Sequence, residues 1–201
     1  MDEVTSLTFA VQAFVTLLVI FDPPGATPIF LSLVSNKSQR ERTRLAWLAA
    51  GVSLLVIASF ALFGRFILEY MHVSIEALQA AGGLLLLYVS LQLLTGTVHE
   101  METKGTNIGM VPLGTPLLAG PGAIVATMIF VDQADSPARM GGLALAIIAV
   151  HLVIGLVLMM STTILKVIKE SGVNLLARIA GLLLAAIAVQ MLANAIKILA
   201  G

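Results

Sequence analysis

The sequence contains no cysteine, and only 11% of its 201 residues are charged. The absence of cysteine excludes disulfide bonds, thiolate metal sites and cysteine nucleophiles. Soluble domains have about 25% charged residues, so this composition is not that of a soluble domain. The formal net charge is zero, which gives no electrostatic support for a nucleic-acid partner. Because 59% of the residues are hydrophobic and the mean hydropathy is +1.04, the sequence predicts an integral membrane protein.

Long apolar runs predict six transmembrane helices, because one span needs about 20 mostly apolar residues. The predicted spans cover about residues 7–34, 45–66, 77–97, 108–131, 141–165 and 175–199. Short polar connectors join them, and the longest connector is about residues 98–107. The whole chain, residues 1–201, is therefore expected to form a single transmembrane domain.

Two of these spans contain residues that should interrupt a helix. The first interruption covers residues 22–28, and the second covers residues 119–123. Proline removes a backbone donor and pushes the preceding residue out of the helical region, so both helices should break there. In lipid, a break is tolerated only where its backbone groups are buried in protein or line a cavity. The two breaks therefore predict a functional centre.

The two halves of the chain also repeat each other. Pro24-Gly25-Ala26 matches Pro121-Gly122-Ala123, and the run from Gly83 to Leu86 matches the run from Gly181 to Leu184. The predicted repeats are residues 1–97 and 108–201, joined by residues 98–107. Each repeat holds three spans. Because three is an odd number of crossings, the second repeat begins on the opposite side of the membrane and is inverted relative to the first. The predicted fold is an all-α membrane protein of two inverted three-helix repeats, with helices 1 and 4 broken at the membrane midplane, as in many secondary transporters.

The basic residues predict the orientation of the chain, because they are more frequent in cytoplasmic loops. Of the 11 basic residues, eight lie on the side of the first, third and fifth connectors, and only Arg65, Arg139 and Lys197 lie on the other side. Both termini are therefore expected outside the cytoplasm.

The two breaks together predict a binding site for a small zwitterion. A broken helix exposes N–H groups that suit a carboxylate and carbonyl groups that suit an ammonium group or a metal cation. Glycine and alanine leave room for a small ligand to approach the backbone. The candidate substrate-binding residues are Asp22, Pro23, Pro24, Gly25, Ala26, Thr27, Leu118, Ala119, Gly120, Pro121, Gly122 and Ala123. The alternative is a kinked helix whose break is closed by a neighbouring hydroxyl group or a water molecule.

Asp22 has no counterpart in the second half, where Ala119 aligns with it. An acidic residue inside a span is by default a candidate functional residue. Asp22 is expected to bind the substrate ammonium group, or to couple transport to an ion by taking up a proton or Na⁺. The alternative is a structural one, because Asp followed by Pro commonly opens a helix as its N-cap.

Other polar residues near the breaks have two interpretations each. Thr27, Thr115 and Thr127 could contact the ligand, but threonine in a helix more often bonds a carbonyl one turn back. His151 lies inside the fifth span and could relay protons. The favoured alternative for His151 is a neutral histidine that is hydrogen-bonded within the bundle.

The sequence around both breaks resembles the MarC family of integral membrane proteins. The resemblance rests on two motifs, Asp22-Pro23-Pro24-Gly25-x-x-Pro28-x-Phe30-Leu31 and Pro116-Leu117-Leu118-Ala119-Gly120-Pro121-Gly122-Ala123-Ile124. It implies a protein of six helices in the inner or plasma membrane. Some members are described as small neutral amino acid transporters (the SnatA type), which implies movement of glycine, alanine and similar substrates, driven by an ion gradient.

The expected function is secondary active transport of small neutral amino acids, coupled to H⁺ or Na⁺. The alternatives are an exporter of another small solute or drug, a channel, and a non-transporting sensor or scaffold of the membrane. An enzyme would need a convergent second catalytic group, and none is visible, so no enzymatic activity is expected. The expected partners are the amino acid, the coupling ion and the lipid bilayer, with no nucleic acid, cofactor or bound metal.

Overall fold

The computed structural model describes residues 2–34, 36–95 and 118–199, and the regular secondary structure in these ranges is helical. The helices are α1 (Asp2–Phe21), α2 (Pro23–Leu33), α3 (Gln39–Tyr70), α4 (Ile75–Thr95), α5 (Pro121–Gln133), α6 (Pro137–Met159) and α7 (Ser161–Leu199). Five stretches of the described residues are long and apolar enough to cross a membrane: Ser6–Thr27, Gln39–Tyr70, Ile75–Thr95, Pro137–Met159 and Asn174–Leu199. A shorter apolar helix covers Gly122–Gln133.

The first predicted span is broken, but over fewer residues than expected. α1 ends at Phe21 and α2 begins at Pro23, so only Asp22 is non-helical. The prediction of a break that continues to Pro28 is wrong. Prolines in the first turn of a helix are tolerated because the N–H groups there have no intrahelical partner. Pro28 lies further along α2 and removes one backbone hydrogen bond, yet the helix continues to Leu33.

The second break also begins earlier and ends earlier than predicted. Leu118, Ala119 and Gly120 are not helical, and α5 begins at Pro121. The next two residues, which were predicted to be part of the break, belong to the helix. Residues 108–117, the predicted first half of this span, and the connector 98–107 lie outside the described residues.

Helices α3, α6 and α7 are differently bounded from the predicted spans. α6 ends at Met159 and α7 begins at Ser161, so the predicted connector 166–174 is helical and α7 extends past its apolar part. Lysine, glutamate and apolar residues there are compatible with a helix.

α3 starts six residues before the predicted span because Ser38 and Glu41 form a capping box. Glu41 N–H donates to Ser38 Oγ (3.4 Å), and Ser38 N–H donates to Glu41 Oε2 (2.9 Å).

Close helix contacts are formed at glycines. α4 packs along α7. A Cβ atom added at Gly83 would lie 3.0 Å from the carbonyl oxygen of Ala188, and one added at Gly181 would lie 3.2 Å from the carbonyl oxygen of Ser90. α3 packs on α6, where a Cβ atom added at Gly155 would lie 2.6 Å from the indole ring of Trp47.

The two short helices that follow the breaks lie inside the bundle. α2 packs on α6 and α7, and α5 packs on α3 and α4. Residues of both breaks belong to one cluster of buried side chains, which includes Phe21, Ala26, Phe30, Leu118, Ala119 and Ala123. Large apolar side chains also cover the outside of the helices; for example, Leu62 is 76% exposed. Such a surface suits contact with lipid.

Candidate functional site

Asp22 forms the whole of the first break. Its backbone is left-handed, with φ 43° and ψ 65°, a conformation that Asp and Asn adopt more readily than most residues. Gly25 N–H donates to Asp22 Oδ1 (3.2 Å), and Ala26 N–H donates to the Asp22 carbonyl oxygen (2.9 Å). The interpretation of Asp22 as an N-cap is therefore confirmed. The residue is half-buried, and its Oδ2 has no hydrogen-bond partner among the described residues.

The start of α2 offers a hydrogen-bond acceptor and few free N–H donors. Pro23 and Pro24 have no N–H group, and the N–H groups of Gly25 and Ala26 are already bonded to Asp22. The expected set of free N–H donors is therefore not found at this break. What this break offers instead is the partly exposed Asp22 carboxylate.

The start of α5 has the opposite character. Gly120 is its N-cap and has no side chain to cap the helix, while Ala123 and Ile124 donate to the Gly120 carbonyl oxygen (3.0 and 3.2 Å). Gly122 N–H has no hydrogen-bond partner in the part of the chain that the structure describes. A Cβ atom added at Gly120 would meet no atom of the described residues within 4 Å. This break therefore combines an available donor, the positive end of a helix dipole and a glycine that no described residue crowds.

Two of the predicted site glycines are used for packing. A Cβ atom added at Gly25 would collide with the carboxylate of Asp22, and one added at Gly122 would collide with the side chain of Leu86. The expectation that these glycines leave room for the ligand is not met in this conformation. At Gly120, by contrast, no atom of the described residues lies within 4 Å of an added Cβ atom.

The threonines near the breaks bond their own helices. Thr27 Oγ1 donates to the Pro23 carbonyl oxygen and Thr127 Oγ1 donates to the Ala123 carbonyl oxygen, both at 2.8 Å. The favoured alternative is thus confirmed for these two, and Thr115 lies outside the described residues. Of the other predicted site residues, Pro24 is half-buried and Pro121 is the first residue of α5. The buried ones are Pro23, Ala26, Leu118, Ala119 and Ala123.

His151 joins α6 to α3 beside the first break. Its Nδ1 lies 2.7 Å from the Ile147 carbonyl oxygen, and its Nε2 lies 3.1 Å from Ser53 Oγ. A carbonyl group can only accept, so Nδ1 carries a hydrogen and donates to Ile147; in a neutral ring, Nε2 then accepts from the Ser53 hydroxyl group. The ring also meets Phe21 edge-on, with centroids 5.0 Å apart. The prediction of a histidine bonded within the bundle is confirmed. The role of Ser53 was not predicted. Ser53 and His151 are 98 residues apart, which is also the distance in sequence between the matching runs that begin at Gly83 and Gly181.

We expect Ser53→Ala to lower the free energy of unfolding by about 1 kcal/mol, because it leaves a buried ring nitrogen without its donor. The measurement is thermal unfolding of the purified protein in detergent. Ser59→Ala is the matched control, since Ser59 is on the same helix and its hydroxyl group donates only to the Leu55 carbonyl oxygen of that helix (2.8 Å). Equal losses in the two variants would contradict a specific role of the bond between helices.

The sequence of the chain also matches a known family. The family described as "MarC family integral membrane protein" matches residues 7–200. The chain belongs to the MarC family. It is therefore a multi-pass integral membrane protein, and the resemblance found in the sequence is confirmed.

MarC-family relatives from archaea and bacteria are similar over nearly their whole length. The chain is 36% identical to the UPF0056 membrane protein MJ1677 of Methanocaldococcus jannaschii, over 95% of this chain and 97% of that protein. It is 31% identical to the UPF0056 membrane protein YhcE of Escherichia coli, over 92% of this chain and 90% of that protein. These names state no substrate. No solved structure matches the chain.

Proposed function

We propose that this MarC-family chain is a secondary active transporter of small neutral amino acids, such as glycine and alanine, coupled to H⁺ or Na⁺. The observation that carries the proposal is the half-buried Asp22 carboxylate at a helix break, with one oxygen that has no partner among the described residues. An acid inside an apolar span is costly, and it is retained in membrane proteins mainly where it serves a ligand or an ion.

The opposite character of the two breaks supports a zwitterionic substrate. Asp22 supplies an acceptor for an ammonium group, whereas Gly122 N–H and the N-terminus of α5 supply a donor for a carboxylate. Both breaks contribute to the same buried cluster. A ligand held between them would have its two charged ends on different helices, and the proposal requires no metal, cofactor or enzymatic step.

The side chains at the breaks support a small substrate. The buried side chains beside the two helix starts include Ala26, Ala119 and Ala123, and no described residue crowds Gly120. The amino acid side chain would have to fit beside these groups. Glycine and alanine fit this description better than leucine or phenylalanine.

Equivalent contacts support an arrangement of two inverted three-helix repeats. Ser38 and Ser136 both cap a helix, α3 and α6 respectively, and they are related by the 98-residue spacing that also relates Ser53 to His151. The same spacing relates Gly83 to Gly181 and Ser90 to Ala188. The contact of Gly83 with Ala188 therefore has its equivalent in the contact of Gly181 with Ser90. Such reciprocal pairs are what a two-fold axis generates. The distribution of basic residues supports a cell-membrane protein with both termini outside the cytoplasm.

The direct test is uptake of labelled glycine by purified protein in liposomes, driven by a proton or Na⁺ gradient. We expect accumulation above equilibrium with one of these gradients. Unlabelled alanine should compete, whereas leucine and phenylalanine should not compete at the same concentration. Failure to bind or accumulate either glycine or alanine under both gradients would overturn the proposal.

A further inference from the structure

A cavity of about 250 Å³ lies away from both breaks. It is formed by the C-terminal part of α3, the turn before α4 and the C-terminal end of α5. Neither break contributes a residue to its lining. According to the distribution of basic residues, this end of the bundle is the one outside the cytoplasm.

The polar groups of this cavity carry both signs of charge. Arg65 Nε donates to Glu69 Oε1 (3.1 Å), and both side chains are largely exposed. Asp132 also lines the cavity, and it has no ion-pair or hydrogen-bond partner among the described residues. Two carboxylates and one guanidinium group give an excess of negative charge, which attracts an ammonium group. Arg65 uses only Nε for Glu69, so its terminal nitrogens can bind a carboxylate.

Helix α5 connects this cavity with the second break, because it begins at that break and its later residues line the cavity. Met128 lines the cavity, and its side chain packs on Gly64, where an added Cβ atom would lie 2.6 Å from Met128 Cε. Met128 follows the first residue of α5 by seven positions, which corresponds to about 10 Å along a helix. The Met side chain has several rotatable bonds. It can therefore move aside without a change in the backbone of α5.

We propose that this cavity is an outer binding site for an amino acid, which holds the ammonium group at Asp132 and the carboxylate at Arg65. An amino acid bound there is concentrated at the C-terminal end of α5, the helix that begins at the second break. This inference depends on the proposed function, because it names a second site for the same substrate. Its size, smaller than the pockets of about 300–1,000 Å³ that hold drug-sized ligands, suits a small amino acid.

The test compares uptake kinetics of Asp132→Asn and Arg65→Gln with those of the wild type. When substrate is supplied on the side of the cavity, we expect an apparent KM for glycine about tenfold higher, since one charge-assisted hydrogen bond is lost. The maximal rate should not change. Asp135→Asn is the matched control, because Asp135 pairs with Arg139 (2.9 Å) at the same end of the bundle and does not line the cavity. An unchanged KM in both cavity variants would overturn the inference.

The side of the cavity is established in the same vesicles. Gln133 is exposed at the end of α5, and the chain has no native cysteine. Labelling of Gln133→Cys by an impermeant maleimide therefore reports which face carries the cavity. An equal rise in KM for substrate supplied on either face would contradict an outer site.

Two further arms separate this inference from its alternatives. The first arm measures binding of labelled glycine to the Asp22→Asn variant and to the double variant Asp22→Asn/Asp132→Asn. Binding that is present in the single variant and lost in the double variant would support the outer site, even if transport at the breaks fails. A zwitterionic phosphatidylethanolamine headgroup has similar chemistry, so the kinetics are repeated in phosphatidylcholine vesicles. An effect of Asp132→Asn that is present only with phosphatidylethanolamine would assign the cavity to lipid and overturn the inference.

Discussion

Asp22→Asn is expected to abolish uphill uptake of glycine while leaving the fold intact. Asparagine also tolerates the left-handed conformation that Asp22 adopts, and it is an equally good N-cap. Its side-chain oxygen can therefore still accept from Gly25 N–H. What is lost is the negative charge and the ability to take up a proton. A charge-assisted bond to an ammonium group is worth about 1.5–3 kcal/mol, so glycine affinity should fall by about 10- to 100-fold.

Two measurements separate the roles of Asp22. If Asp22 only couples transport to an ion, Asp22→Asn should still exchange labelled for unlabelled glycine down a gradient. If Asp22 binds the ammonium group, exchange should fail together with accumulation. Accumulation at the wild-type level would show that Asp22 is only a cap.

Asp22→Ala is the structural comparison for Asp22→Asn. Alanine removes the cap and is strained at positive φ. We therefore expect its free energy of unfolding to fall by about 1 kcal/mol or more below that of Asp22→Asn. Similar stability of the two variants would indicate that the bond to Gly25 N–H does not hold the break.

Gly122→Val is expected to disrupt the protein through packing. A Cβ atom at position 122 already collides with Leu86, and valine adds two methyl groups, so α5 would be pushed away from α4. Overpacking of this kind typically costs about 1–3 kcal/mol, and we expect the upper end because α5 packs on α3 as well. The expected result is a lower unfolding temperature together with loss of glycine uptake.

A second change distinguishes packing at Gly122 from a direct role in binding. Leu86→Ala removes the colliding side chain, so the double variant Gly122→Ala/Leu86→Ala should unfold at a higher temperature than Gly122→Ala alone. Gly120→Ala is the control at the same break, because no atom of the described residues lies within 4 Å of its added Cβ atom and its φ of −65° suits alanine. A failure of Leu86→Ala to restore any stability would contradict the packing explanation.

Several features of the fold follow from local chemistry and were predictable. Apolar runs of about 20 residues indicate where helices cross the membrane, and each described apolar helix overlaps a predicted span. The break at Asp22 follows from the prolines after it, since proline restricts the preceding residue. The spacing of Ser38 and Glu41 is that of a capping box, and this local signal fixes the start of α3 at Gln39.

Other features depend on which helices meet. Nothing local to Gly122 indicates that Leu86 occupies the space beside it, and nothing local to His151 indicates that Ser53 donates to it. Both contacts join residues that are far apart in sequence, and they form only when α4 packs on α5 and α3 packs on α6. The same holds for the cavity at Asp132, whose lining comes from three helices.

The sequence by itself determined the membrane environment, the approximate spans, the approximate positions of the breaks and the acid at the first break, because these depend on hydrophobicity and on the backbone chemistry of proline and glycine. Only the tertiary structure decided how each break is used. The two prolines and the Asp22 cap leave α2 with an acceptor, while the uncapped Gly120 leaves α5 with a donor and space. The physical reason is that a backbone hydrogen bond or an open space depends on three-dimensional positions, and helix packing sets those positions.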